Sequence, residues 1–248
     1  MTSNLSKYSR EKYKKQYFEL DNKSEADKSV NTYDRTAWSV PCQEYLLAFF
    51  SKTGTVIRGK KILIVGPETK AETERFIQGG ADVTVINIAF PEAVLRRSPN
   101  YHPCWMDLHH LGFIDNAFDF VYIQHVCMHV DIEKVVQEIR SVLKPGGKMI
   151  LLEVLGSSPY ILFFRNILKV ERFMGHSYVT FRDLSNIEDK NFRIERIAGF
   201  YVFLPIFYLL KYFYLSRLFK ALMLIESRLI GQLHMFRPLC MFGMLYMY

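Results

Sequence analysis

Short continuous apolar runs, separated by charged and glycine-bearing segments, dominate the first two thirds of the chain. This is the pattern of strands buried on both faces, not of an amphipathic helical bundle. Lys61-Ile-Leu-Ile-Val65 is one such run, closed by Gly66-Pro67, and Ala81-Asp-Val-Thr-Val-Ile86 is the next, ending at Asn87. Between them Thr69 and Glu72 have the spacing of a capping box, which predicts a helix running towards Gly79-Gly80. Strand, tight turn, helix and strand make a βαβ unit, whose crossover puts the turn and the helix N-terminus at the carboxyl edge of a parallel sheet. Further strands are predicted around Tyr101 to Trp105, Phe118 to Ile123, Lys148 to Val154, Phe192 to Val202 and Leu239 to Tyr248, seven in all. Apolar positions from Trp38 to Phe50 predict a helix packed against the core that begins after Gly59. The fold class is therefore α/β, a doubly wound, mostly parallel seven-stranded sheet.

Three parts emerge from this pattern, with no internal repeat. Residues 1–37 are charged and poor in aliphatics and read as an N-terminal arm or lid, with a helical stretch around Ser9 to Phe18. Residues 38–204 form the core, and residues 205–248 an apolar, basic helical segment with the last strand completing the same domain.

The central motif is Asp107-Leu-His-His followed by Phe118-Asp-Phe-Val-Tyr-Ile-Gln-His-Val-Cys-Met-His129, a helical segment, and Leu143-Lys-Pro-Gly-Gly-Lys-Met-Ile-Leu-Leu-Glu-Val154. It resembles the second half of a class I S-adenosylmethionine (SAM)-dependent methyltransferase, most strongly over residues 57 to 155. That resemblance implies a Rossmann-like methyltransferase fold, SAM as cofactor and methyl transfer to a small-molecule or lipid-linked acceptor.

Carried over position by position, the resemblance assigns cofactor contacts to Gly66, Pro67 and Glu68 in the first turn and to Asn87 and Ile88 after the second strand. It adds Asp107 and Leu108 at the adenine, and Gln124 and His125 at the end of the fourth strand. Two departures stand out. Where the family has Gly-x-Gly-x-Gly this chain reads Gly66-Pro-Glu-Thr-Lys70, and Asn87 replaces the acidic residue that holds the ribose hydroxyls. They keep a second reading open, a catalytically inactive methyltransferase-like binding module. A nucleotide-binding oxidoreductase is disfavoured, because a full GxGxxG is absent while the Asp107 and Lys-Pro-Gly-Gly blocks are present.

An imidazole can accept a proton near neutrality, so His176 and His129 are the catalytic candidates. His176 lies in Gly175-His-Ser-Tyr-Val-Thr-Phe-Arg-Asp-Leu184, which resembles a family stretch lining the acceptor pocket, where Thr180 is expected to cap a helix. His125 and His129 would share one face of a helix. In the quinone-pathway relatives a cation set of two glutamates and a histidine falls on His125, Met128 and His129; Met128 breaks it, so no metal is expected. Phe118 is expected in the core, Asp119 as a turn and cap residue, and Lys144-Pro-Gly-Gly147 as a turn that feeds the fifth strand.

Charge and composition change the picture at the C-terminus. The chain carries a formal net charge of +7 with 15% aromatic residues, and both concentrate after residue 197. Lys211, Arg217, Lys220 and Arg228 interrupt an aromatic run too short to span a membrane and broken by Pro205. This predicts a helix lying on an anionic membrane surface; covering the sheet or forming a homodimer contact is the other use of such a helix. No Pro-Pro-aromatic motif follows the fourth strand and no basic stripe is evident, so nucleic acid is not the expected partner. Four cysteines without a CxxC pair, and a polar segment from Met1 to Asp34, predict a reducing, cytoplasmic location, with peripheral attachment to the inner face of the membrane.

Overall fold

The computed structural model describes residues 42–66, 71–87, 99–167, 169, 178–180, 183, 192–200, 218, 221, 222, 225 and 242–248. One sheet of seven strands organises them. In chain order these are β1 (Lys61–Val65), β2 (Asp82–Asn87), β3 (Tyr101–Trp105), β4 (Phe118–Gln124), β5 (Leu143–Val154), β6 (Ile194–Phe200) and β7 (Phe242–Met247). Their spatial order is β3-β2-β1-β4-β5-β7-β6. The first five pair in parallel, and β7 pairs antiparallel with both β5 and β6. The order reverses between β1 and β4. In such sheets the crevice at the carboxyl ends of the strands beside that reversal is where ligands bind.

Helices cover both faces. Helix α1 (residues 42–53) and α2 (Ala71–Gln78) bring Leu46, Phe49, Phe50 and Phe76 against Ile62, Ile64, Phe120 and Tyr122, and α4 (Pro159–Asn166) adds Ile161 to the same layer. Helix α3 (Ile132–Val142) brings Val135, Val136, Ile139 and Val142 against Leu63, Val121, Met149 and Leu151 on the opposite face. The alternation is that of strands buried on both sides: Ile62 and Ile64 face one layer, Leu63 and Val65 the other.

At the amino edge the structure departs from two sequence expectations. Lys144-Pro-Gly-Gly147 is not a turn ahead of the fifth strand but an arch within it. Phe118 pairs with Leu143 and Phe120 with Lys148, so the extra residues bulge out, and Gly146 takes the left-handed conformation at φ 75. Asp119 is not a turn cap either. From within β4 its Oδ2 accepts from Lys61 N at 3.0 Å and Lys144 Nζ at 2.8 Å, and its Oδ1 from Lys60 Nζ at 3.2 Å. It ties the start of β1 and the β5 arch to one strand. Partial burial alone would raise its pKa, but the Lys144 ammonium, the Lys61 amide and the Lys60 ammonium together hold the carboxyl below its ordinary value.

Candidate functional site

Four loop ends meet at the carboxyl edge, around a cleft with about 540 Å³ of empty space, counting what is open to solvent. Val65 and Gly66 reach it from β1, Ile86 and Asn87 from β2, Met106 to His109 from the chain after β3, and Val126, His129 and Val130 from the chain after β4.

Gly66 is required twice over. Its φ of 81 is left-handed, and a Cβ there would lie 2.1 Å from Val126 Cγ2 and 2.7 Å from the Gln124 carbonyl oxygen. The turn after β1 and the chain leaving β4 are therefore in direct backbone contact. Asn87, only 7% exposed, ends β2, and its carbonyl accepts from Met106 N at 3.1 Å, which draws the chain after β3 alongside it.

Asp107 opens that next segment. Its Oδ1 accepts from His109 N at 3.0 Å and from His109 Nδ1 at 2.8 Å, while His109 Nε2 accepts from Asp131 N at 3.1 Å. Since a backbone amide can only donate, Nε2 carries no proton and Nδ1 does. The imidazole thus bridges Asp107, in the cleft wall, to the residue preceding α3. Leu108 lies buried beside it as part of the apolar floor.

The chain after β4 bends sharply. His125 N still donates to Leu152 O at 2.9 Å, continuing the ladder, but at φ 52 His125 turns left-handed, and Cys127–His129 make a single 3-10 turn whose His129 N donates to Val126 O at 2.9 Å. Beneath this bend lies the fully buried Glu153. Its Oε1 accepts from Val126 N at 3.0 Å and Cys127 N at 3.1 Å. Burial pushes its pKa up to about 7, against the lowering pull of the Cys127 and Val126 donors. Burial first and then the neighbouring Glu153 likewise push the Cys127 thiol well above its ordinary value, leaving it a packed, protonated thiol.

Of the residues singled out from the sequence, Gly66, Asn87, Asp107, Leu108 and His129 come together around this cleft. Gln124 does not face it. Strand alternation turns its side chain with Phe120 and Tyr122 towards α1, where Oε1 accepts from Gln43 Nε2 at 3.2 Å and Tyr122 OH at 3.0 Å. Nor do His125 and His129 share a helical face, because the left-handed residue and the 3-10 turn separate them; only His129 reaches the wall. Pro67, Glu68, Ile88 and His176 lie outside the described residues, as do residues 1–37 and Lys211, Arg217, Lys220 and Arg228. Thr180 does cap: its amide and hydroxyl donate to Asp183 Oδ2, each at 2.8 Å, and Asp183 N donates back to Thr180 Oγ1 at 3.2 Å. Among the described residues no group of three His, Cys, Asp or Glu side chains could hold a metal ion.

Sequence reasoning passed over His109 and Glu153. A signal for the second existed: Glu153 is the one acid in the apolar run Met149-Ile-Leu-Leu-Glu-Val154. His109 had none, since its two hydrogen bonds span the loop and depend on the fold. The donor set suits an adenosine-bearing ligand. A side-chain amide stands at the end of β2, a carboxylate after β3, apolar walls between them, and a glycine allows close backbone approach.

Residues 63–151 match a family model described as a methyltransferase domain. A search by sequence finds no match among curated proteins. Among solved structures, a SAM-dependent methyltransferase from Aquifex aeolicus is 14% identical, with a TM-score of 0.55 and coverage of 94% of this chain and 97% of that one. A protein from Galdieria sulphuraria, described as a proposed sarcosine dimethylglycine methyltransferase, is 19% identical, with a TM-score of 0.56 and 82% of each chain covered. Geranyl diphosphate C-methyltransferase from Streptomyces coelicolor, solved with Mg2+, geranyl diphosphate and S-adenosylhomocysteine, is 12% identical, with a TM-score of 0.55 and coverage of 82% of this chain and 80% of that one.

Proposed function

We propose that this chain, which matches a methyltransferase domain over residues 63–151, is a class I SAM-dependent methyltransferase that transfers a methyl group from SAM to a small-molecule or lipid-linked acceptor. The observation that carries this reading is the convergence of Gly66, Asn87, Asp107 and His129 on one cleft at the strand-order reversal. SAM supplies a methyl group on a sulfonium, which an acceptor atom in line with it can attack. The chain's own residues bind and orient. With SAM bound, Asn87 would offer its amide to the ribose hydroxyls, the Asp107 carboxylate would accept from the adenine amine, and the Leu108 amide would meet a ring nitrogen. Val65, Ile86, Met106, Val126 and Val130 exclude water. His129, in the wall, takes the acceptor's proton. Catalysis rests mainly on placement, with proton removal secondary.

The acceptor side is where lipid enters the proposal. Leu162, Phe163 and Ile167, in and just after α4, are exposed, as are Leu218 and Ile225 in the C-terminal segment. Exposed apolar side chains, in a chain whose C-terminal sequence also carries Lys211, Arg217, Lys220 and Arg228, suit peripheral binding to an anionic, cytoplasm-facing membrane surface. No helix among the described residues is long and apolar enough to cross a membrane. The rival reading, a binding module without turnover, is favoured by Asn87, which lacks the family's negative charge.

Incubation of the protein with methyl-labelled SAM and a total lipid extract tests the proposal. Label is expected in an organic-soluble product, falling at least tenfold in His129→Ala while S-adenosylhomocysteine affinity changes less than threefold. Binding of S-adenosylhomocysteine without label transfer to lipid or small-molecule fractions would favour the module. Equal sedimentation on neutral and anionic vesicles would remove the electrostatic part of the membrane proposal.

A further inference from the structure

Glu153 occupies a position that the strand pattern reserves for an apolar side chain. It projects with Met149 and Leu151 towards the α3 layer, fully buried, where a carboxylate is unfavourable unless donors satisfy it. The donors are two successive backbone amides, Val126 at 3.0 Å and Cys127 at 3.1 Å, both on Oε1. They are the amides released when the β4–β5 ladder ends at the left-handed His125. From there the contacts run on into the cleft: Val126 O holds His129 N at 2.9 Å, and the Val126 side chain packs where a Cβ on Gly66 would stand. One buried carboxylate therefore fixes a bend whose next residues, Val126, His129 and Val130, form one wall of the site.

We propose that Glu153 is a positioning residue for the SAM cleft, its Oε1 clasping the Val126 and Cys127 amides so that the chain leaving β4 stays closed against Gly66. This rests on the reading of the cleft as the SAM site, but the clasp itself has a readout independent of SAM. A pKa near 7 adds a second consequence. Burial is what raises it, so the closed arrangement favours the protonated acid, and the wall is held less tightly above neutrality than below. Among the described residues the titratable group against Glu153 is the Cys127 thiol, which stays protonated; His109 and His129 line the cleft and are common to every variant compared.

Two variants separate position from charge. Glu153→Gln keeps an acceptor oxygen at Oε1, whereas Glu153→Leu keeps the volume and removes the acceptor. Amide exchange at Val126 and Cys127 should accelerate at least tenfold in Glu153→Leu and stay within threefold of wild type in Glu153→Gln at pH 6. S-adenosylhomocysteine affinity should fall at least tenfold in Glu153→Leu and recover in Glu153→Gln. From pH 6 to pH 8 the wild type should lose affinity severalfold relative to Glu153→Gln, which serves alone if the leucine variant does not fold. Unaltered exchange in a folded Glu153→Leu, or parallel pH profiles of wild type and Glu153→Gln, would overturn the clasp. Failure of the wild type to bind S-adenosylhomocysteine, with the exchange pattern intact, would overturn only the SAM reading.

Discussion

Two carboxylates sit at opposite edges of the same sheet and behave in opposite ways. Asp119, at the amino edge, faces two ammonium groups and a backbone amide and is held below its ordinary pKa. Glu153, at the carboxyl edge, meets backbone amides and a thiol, no cation, and is pushed up to about 7. The first uses charge to tie strands together where solvent is near. The second holds a charge that folding disfavours, next to the cleft. Buried polar side chains, among them Asn87, Gln124 and Glu153, stand at the edge where a ligand is proposed.

The largest expected difference between the edges lies in two left-handed glycines. Gly66→Ala would drive a Cβ into Val126 and the Gln124 carbonyl, whereas Gly146, at φ 75 in the arch, has open space around it. Gly66→Ala should destabilise by about 3 kcal/mol or more and abolish binding, and Gly146→Ala by only about 1 kcal/mol with binding intact. Chemical denaturation of both, with matched binding curves, checks this. Equal losses would break the comparison.

Next in size is pH. The Glu153 pKa is raised in the fold, so the folded state binds the extra proton. Its contribution to stability is full below the ordinary carboxylate range and declines as pH rises to about 7. Relative to Glu153→Gln, the wild type should lose stability at a slope of up to about 1.4 kcal/mol per pH unit between roughly pH 5 and 7, then level off. Asp119 has the opposite sign. Its lowered pKa stabilises above the ordinary range, and that stability is lost as pH falls through the folded value. Urea midpoints of wild type, Glu153→Gln and Asp119→Asn across pH 3 to 8 would show crossing trends; parallel trends would mean the two acids are equivalent.

Smallest is Asp119→Asn at neutral pH. The loss should be about 1–2 kcal/mol, because the carboxylate is mostly buried but both lysines are partly exposed. Binding of S-adenosylhomocysteine should be unchanged, and a large loss of affinity would extend the site to the amino edge.

The sheet was legible because its strands are short apolar runs ended by glycine or a polar residue. Lys61–Val65 and Tyr101–Trp105 match the predicted strands, and β2 and β4 differ by a residue. The arch at Lys144 to Gly147 was misread because a Lys-Pro-Gly-Gly sequence has the same chemistry whether it precedes a strand or bulges from one; the pairing with Phe118 decides. In the site, positions set by strand ends could be read: Gly66, Asn87 and Asp107 stand where β1, β2 and β3 stop. Positions set by side-chain direction could not. Gln124 alternates with Tyr122 onto the α1 layer, and His125, left-handed, breaks the helical spacing that would pair it with His129. Tertiary partners, His109 for Asp107 and Glu153 for Val126, leave little local trace.

Isothermal titration of S-adenosylhomocysteine into the wild-type protein and Asp107→Ala tests the central claim, that this cleft is the SAM site, most directly. The account predicts one-to-one binding by the wild type and a loss of about 1–3 kcal/mol in the variant, from a hydrogen-bond donor left without its acceptor. Absence of heat and of a thermal shift with the wild type at millimolar ligand, or equal affinity in Asp107→Ala, would contradict it.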